Sequence, residues 1–203
     1  MEEQWIETYT GKKVTPLNMK EEDLNIEDIA HSLALQCRFT GHCRQFYSIA
    51  EHSVRVAGVV TKLMLEERIK NATDPLSISV PSDVFVKDDY TTILGGLLHD
   101  ACEAYIGDTA RPIKDTKRIE LENTIQGTIT QRFLLSGADA ALIKKADNIM
   151  LATEACCLMR SVEGWNFPEP PLDESSFTPS APNKAEQLFL ARYKELIARR
   201  QVQ

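Results

Sequence analysis

An apolar run, Ile93-Leu94-Gly95-Gly96-Leu97-Leu98, leads directly into His99-Asp100. A stretch this apolar belongs inside a fold, and a carboxylate buried at its end without a partner would be costly. Other polar groups must therefore come to this point from elsewhere in the chain. His52 lies upstream in Ser48-Ile49-Ala50-Glu51-His52-Ser53-Val54, and Asp147 lies downstream in Lys144-Lys145-Ala146-Asp147-Asn148. Each sits in its own helical pattern, so bringing them to residues 99 and 100 requires a packed bundle. Imidazole with carboxylate is a common ligand set for a divalent metal.

The periodicity agrees with an all-α chain. Asn25 is placed to cap a helix from Ile26 to about Gln36, with Ile26, Ile29, Ala30, Leu33 and Ala34 on one face. Residues 37–47 break that period and read as a loop. Ser48 then caps a helix to about Lys70, striped by Ile49, Val56, Val59, Val60 and Leu63. A single helix over 90–106 carries His99-Asp100-Ala101-Cys102-Glu103 and stops at Gly107. Further helices are expected at about 116–135, 138–160 and 182–200. Residues 5–17 hold β-formers around a Gly-Lys turn, which predicts a short N-terminal hairpin. Residues 71–89 show no period and read as an inserted loop or lid. The proline-rich stretch 164–182 reads as an extended surface segment. No internal repeat appears, and the 203 residues suffice for one domain with a sizeable core.

Composition narrows the function classes. The net charge of −7 argues against a broad nucleic-acid surface. It does not exclude a small anionic substrate, because a metal and a few cations reverse the field inside a cleft. No stretch approaches the roughly 20 apolar residues of a membrane span. The acidic start, Met1-Glu2-Glu3-Gln4-Trp5, lacks the features of a signal peptide, so a cytoplasmic location is expected. The five cysteines are odd in number and scattered, and they read as reduced thiols. No GxxxxGK[ST], GxGxxG or GxSxG pattern occurs, which removes P-loop, dinucleotide-binding and serine-hydrolase readings.

The order His52 … His99-Asp100 … Asp147 resembles the metal-binding signature of the HD-domain phosphohydrolases. Arg38-Phe39-Thr40-Gly41-His42, Tyr47-Ser48-Ile49-Ala50-Glu51-His52-Ser53 and His99-Asp100-Ala101-Cys102-Glu103-Ala104-Tyr105-Ile106-Gly107-Asp108 are similar to the small phage and bacterial nucleotide phosphohydrolases of that superfamily. So is Pro112-Ile113-Lys114. These motifs cover roughly residues 5–160. The resemblance implies an HD-type helical bundle, with His52, His99, Asp100 and Asp147 holding one divalent ion (Co²⁺, Mn²⁺, Mg²⁺ or Fe²⁺). It also implies hydrolysis of phosphate from deoxynucleotides, other nucleotides or nucleoside-analogue phosphates. Branches acting on monophosphates and on triphosphates both belong to the superfamily, and the sequence leaves the choice open.

Phosphate ester hydrolysis needs an activated water, neutralised phosphoryl oxygens and help for the leaving group. The resemblance points to Glu103 as the residue that orients or deprotonates the water. On a regular helix Glu103 would share a face with both His99 and Asp100. Asp108 is a candidate for a sugar hydroxyl or a water near the metal, or equally a turn cap. Arg38, His42, Arg44 and Lys114 are the candidate phosphate clamp, with Arg111 as a further cation for a triphosphate. His31 stays outside the metal set. Trp5, Tyr9, Phe39 and Tyr105 could stack on a base or fill the core.

The partner expected is a small nucleotide, with no nucleic-acid polymer and no membrane; a homo-oligomer is compatible with the sequence. Two rival readings differ in kind. One is a non-catalytic nucleotide-sensing module built on a structural metal, against which Glu103 argues. The other is an alarmone or cyclic-nucleotide hydrolase, which as a two-metal enzyme would need more histidines than His31 and His42.

Overall fold

In the computed structural model, residues 4–72, 85–173 and 177–202 are described. A two-stranded antiparallel hairpin opens the chain: β1 (Ile6–Glu7) pairs with β2 (Lys13–Val14), in the register Ile6 to Val14 and Glu7 to Lys13. The strands turn at Gly11, whose φ of +82° suits a residue without a Cβ. Thr10 donates to the buried Asp28 through its backbone N–H (2.7 Å) and its hydroxyl (2.9 Å), which fastens the hairpin to the first helix.

That helix, α1 (Ile26–Leu35), begins where Asn25 accepts the Glu27 N–H, and it buries the expected Ile29, Ala30, Leu33 and Ala34. A turn over 36–48 follows. It is closed by Arg38 N–H on the Tyr47 carbonyl (2.9 Å) and by a bridge between Cys37 and Ser48. Ser48 accepts the Glu51 N–H and starts α2 (Ile49–Asn71). This long helix packs against α1 and three later helices, so its first half lies at the centre of the bundle.

α3 (Lys87–Leu98) starts three residues earlier than the expected 90, because Asp89 caps it by accepting the Val86 N–H (2.6 Å). It buries every residue from Asp89 to Leu98. Gly95 and Gly96 set how close it comes. A Cβ on Gly95 would lie 2.8 Å from Ile143 in the helix over Ala140–Leu158, and one on Gly96 would lie 3.2 Å from Val60 of α2. The two glycines thus let α3 seat against both neighbours at once.

The expected single helix over 90–106 is corrected. The chain tightens after Leu98 into turns joined by i→i+3 bonds, Ala101 N–H to Leu98 and Glu103 N–H to Asp100, before a one-turn α4 (Glu103–Ile106). The remaining helices, α5 (Thr116–Arg132), α6 (Ala140–Leu158) and α7 (Pro182–Val202), fall within a few residues of expectation. Of the expected loop 71–89, Asn71 belongs to α2 and residues 87–89 to α3, which runs from Lys87. Residues 73–84 of that loop lie outside the described residues.

In the proline-rich stretch, the described residues 164–173 and 177–181 form no helix or strand, and several of them dock on the bundle. Leu172 N–H donates to Thr153 of α6, and Ser180 N–H donates to the buried Glu51 of α2 (2.7 Å). Phe177 packs on Tyr47, with the Arg55 guanidinium 4.2 Å from its ring centre. Among the described residues no helix is long and apolar enough to cross a membrane.

Candidate metal centre

The four side chains singled out in the sequence meet in the middle of the bundle. His52 projects from the first turn of α2, His99 and Asp100 from the turn that ends α3, and Asp147 from the middle of α6. His52 Nε2 lies 3.2 Å from His99 Nε2, 3.6 Å from Asp100 Oδ2 and 3.3 Å from Asp147 Oδ1. His99 Nε2 lies 3.2 Å from Asp100 Oδ2 and 3.8 Å from Asp147 Oδ1. Donor atoms bound at about 2.1 Å to one cation stand about 3.0 Å apart in an octahedron and about 3.4 Å apart in a tetrahedron. The observed spacings fit such a shell. His52, His99 and Asp100 form its compact part, and Asp147 joins through the two imidazoles.

The orientation of the imidazoles supports the same conclusion. His99 Nδ1 lies 2.8 Å from the Gly96 carbonyl, an acceptor, so this nitrogen must donate. His52 Nδ1 lies 2.7 Å from Glu154 Oε1. Burial disfavours the Glu154 charge, but Arg38 first and then His52 hold its pKa below the ordinary range, so this carboxylate also accepts. In the neutral rings both Nε2 lone pairs then point at each other and at two carboxylates. A shared cation would satisfy such a set of acceptors.

Without a metal, protons meet part of that need. Burial disfavours the His99 charge, but Asp100 and then Asp147 raise its pKa well above the ordinary value. Burial likewise works against the Asp100 and Asp147 charges, yet His99 lowers the former, and His52 with His99 the latter, below the usual carboxylate range. Lys144 holds the outer oxygen of Asp147 at 2.7 Å.

Behind the cluster sits a residue that sequence reasoning missed. Glu154 is wholly buried in α6. It accepts from Tyr47 Oη and His52 Nδ1, both at 2.7 Å, and its second oxygen lies 3.1 Å from Arg38 Nε, outside hydrogen-bond alignment. A signal was available: Glu154 stands seven residues after Asp147, two helical turns along the same face, within an apolar stretch.

Arg38 also reaches the cluster, with NH1 3.5 Å from Asp100 Oδ2. Burial opposes its charge, but Glu154, Asp100 and Asp147 outweigh that and hold its pKa above the ordinary value. Glu103 lies one tight turn beyond Asp100. With i→i+3 bonding, residues three apart eclipse, so Glu103 aligns with Asp100 and not with His99. It is buried, and its Oε2 has no hydrogen-bond partner among the described residues. Burial, then Asp100 and Asp108, push its pKa up to about 9.

Lys114 is paired with Glu122 at 2.9 Å, and Glu122 also binds Arg118. Burial would lower the Lys114 pKa, but Glu122, Glu103 and Asp108 raise it, which sets it on the same side as the two acids. Gln36 spans this side: its amide donates to the Glu103 carbonyl (3.0 Å) and accepts the Asp108 N–H (3.1 Å). Of the other clamp candidates, His42 is exposed, and Arg44 is tied to the end of α6 through the Cys157 carbonyl (2.6 Å) and the Leu158 carbonyl (2.8 Å). His31 is apart, stacked on Tyr9 and 3.1 Å from Glu186.

Fold and centre together define a helical protein with a histidine-aspartate group able to hold a metal. The HD domain family model matches residues 49–168, a span that contains His52, His99, Asp100 and Asp147. The chain is 31% identical to the uncharacterized protein YfdR of Escherichia coli (strain K12) over 199 residues, 95% of either chain. It is 30% identical to an uncharacterized protein of Rhodobacter capsulatus over 151 residues, 72% of this chain and 66% of that one. The chain belongs to the HD-domain superfamily of metal-dependent phosphohydrolases.

Proposed function

We propose that this protein hydrolyses phosphate from nucleotides, with deoxynucleotides or nucleoside-analogue phosphates as the substrate class. The observation that carries the reading is the convergence of four donor atoms, 3.2 to 3.8 Å apart in the pairs that include an imidazole nitrogen, beside the buried Glu103, whose Oε2 has no hydrogen-bond partner among the described residues. His52, His99, Asp100 and Asp147 would hold one divalent ion. When bound, that ion would supply a polarised water and neutralise phosphoryl oxygens.

The chain's own residues do the rest. Burial, then Asp100 and Asp108, keep Glu103 protonated at neutral pH. Neutralising Asp100 removes the larger of the two ionic causes and brings the acid closer to neutrality, where proton transfer to or from a reacting oxygen is most effective. Lys114 faces Glu103 and Asp108 and offers a point charge to a phosphate. Arg38, packed on Asp100 and Glu154, has further N–H groups to offer a phosphate. His42 is exposed enough to meet a longer phosphate chain, whereas Arg44 would first have to leave the Cys157 carbonyl.

The test is a panel of nucleoside mono- and triphosphates incubated with Co²⁺, Mn²⁺ or Mg²⁺. Turnover is expected, and it should be lost in His99→Ala and Asp100→Ala. Undiminished activity in those variants, or in excess chelator, would overturn the reading. Products distinguish the substrate: free phosphate from a monophosphate, tripolyphosphate in one step, or stepwise loss from a triphosphate.

A further inference from the structure

Away from the candidate metal centre, two thiols come together on one turn. Cys37 Sγ and Cys43 Sγ lie 3.4 Å apart across the turn that carries Arg38. Both are half-buried and free. The turn between them is already tightly wound: Phe39 and Thr40 hold left-handed backbone angles (φ 54° each), and Gly41 follows at φ +77°. Its ends are fixed, since Arg38 N–H bonds the Tyr47 carbonyl and the Arg44 N–H bonds the Leu158 carbonyl at 2.8 Å. The sulfurs are therefore held in contact by the fold and not by a chance rotamer of an open loop.

We propose that Cys37 and Cys43 form an oxidisable dithiol that closes to a disulfide and locks the Arg38 turn. A disulfide bond of about 2.05 Å requires the sulfurs to approach by about 1.4 Å, a movement that side-chain rotation across a six-residue spacing can supply. With a disulfide oxidant such as oxidised glutathione, one thiolate attacks a glutathione sulfur and expels one glutathione thiolate. The second thiolate then attacks the mixed disulfide and expels the protein-bound glutathione as another thiolate. The chain loses two protons and two electrons, and two molecules of reduced glutathione form. Burial and the adjacent Cys37 sulfur push the Cys43 thiol up to about 11, which makes closure faster as pH rises from neutrality.

The turn matters to the centre because its two neighbours act there. Gln36, before Cys37, holds Glu103 and Asp108, and Arg38, after it, reaches Glu154 and Asp100. The proposal itself rests on the sulfur geometry and stands whatever the protein hydrolyses.

The test is incubation of the full chain with a graded glutathione redox buffer, acid quench, alkylation and tryptic mass spectrometry. Trypsin cuts after Arg38, between the two cysteines, so a bridge joins residues 21–38 to residues 39–44 and separates on reduction. Expected are that linked pair, its loss in both Cys37→Ser and Cys43→Ser, and its persistence in Cys156→Ser. Amide hydrogen exchange across 39–44 should slow in the oxidised protein. Glutathione adducts on Cys37 or Cys43 in place of the bridge, or linkage through Cys156, would overturn the proposal. A bridge that leaves exchange across 39–44 unchanged would overturn the locking.

Discussion

Glu154 shows how much of the centre depends on a residue that never touches the ligand position. Its carboxylate fixes the tautomer of His52 and answers the buried charge of Arg38. Partners of this kind usually contribute 10–100-fold to metal affinity. Glu154→Gln keeps the shape but not the charge, so Mn²⁺ affinity measured by calorimetry should fall by about that factor while the fold survives. Glu154→Ala leaves Arg38 without its principal counter-charge and should cost about 3–5 kcal/mol in denaturant unfolding. Equal metal affinity in the Gln variant and the parent would remove Glu154 from the centre.

Glu103 makes a prediction of opposite sign. Its folded pKa of about 9 stands above the ordinary 4.5, so between these values the folded chain binds a proton that the unfolded chain has released. Metal-free stability should therefore decline as pH rises through that window on account of this group. Glu103→Gln abolishes the decline, so the metal-free variant should gain on the parent progressively from about pH 5 to about pH 9. Thermal melts at several pH values in chelator would show it, and a constant offset would disprove it.

Among the elements, α3 sets the geometry. Its apolar run was readable because every position is buried, but the pair of glycines within it gained meaning only from its neighbours. Gly96 faces Val60 and the Ala57 backbone of α2, and Gly95 faces α6. Alanine at 96 would gain helix propensity and needs only a small yield from Val60, so it is a weak test. Gly96→Val adds branched bulk against a helix that carries His52. It should destabilise by about 1–3 kcal/mol and weaken metal binding together, as α3 moves away from α2. A variant with full stability and full affinity would show that the close approach is incidental.

The same element shows where the sequence stopped being informative. Asn25, Ser48 and the spacing of Ile49, Val56, Val59 and Val60 gave α1 and α2 their starts and faces, because capping and periodicity are local. The tightening after Leu98 is not local. Ala101, Cys102, Ala104 and Tyr105 continue a pattern that a regular helix would also bury, so nothing in the residues marks the change. The change decides that Glu103 lies over Asp100 and not over His99. The clustering of His52, His99, Asp100 and Asp147 was legible from the resemblance and because charged residues in apolar surroundings need partners. Arg44 was not, because a surface arginine and one tied to a helix end look the same in one dimension.

At the scale of the whole molecule, α2, the turn that ends α3 and α6 meet through side chains that could hold a cation. In the metal-free protein His99 is held above its ordinary pKa, and Asp100 and Asp147 are held below theirs. The carboxylates therefore contribute stability above the unfolded Asp value, lost as pH falls through their folded values. His99 contributes stability below the unfolded His value of about 6.5, lost as pH rises through its folded value. Above that point the metal-free bundle weakens, while the imidazole becomes free to bind. Metal and proton compete for one nitrogen, so affinity must rise with pH. Mn²⁺ at a hundred times its dissociation constant stabilises by about 2.7 kcal/mol, or about 5–10 °C in a chain of this size. The melting shift caused by a fixed Mn²⁺ concentration should be small near pH 5.5 and grow steadily toward pH 8. It should vanish in His52→Ala and in Asp100→Ala at every pH. A shift of constant size across that range, or one retained in those variants, would place the ion elsewhere on the surface and separate the bundle's stability from its centre.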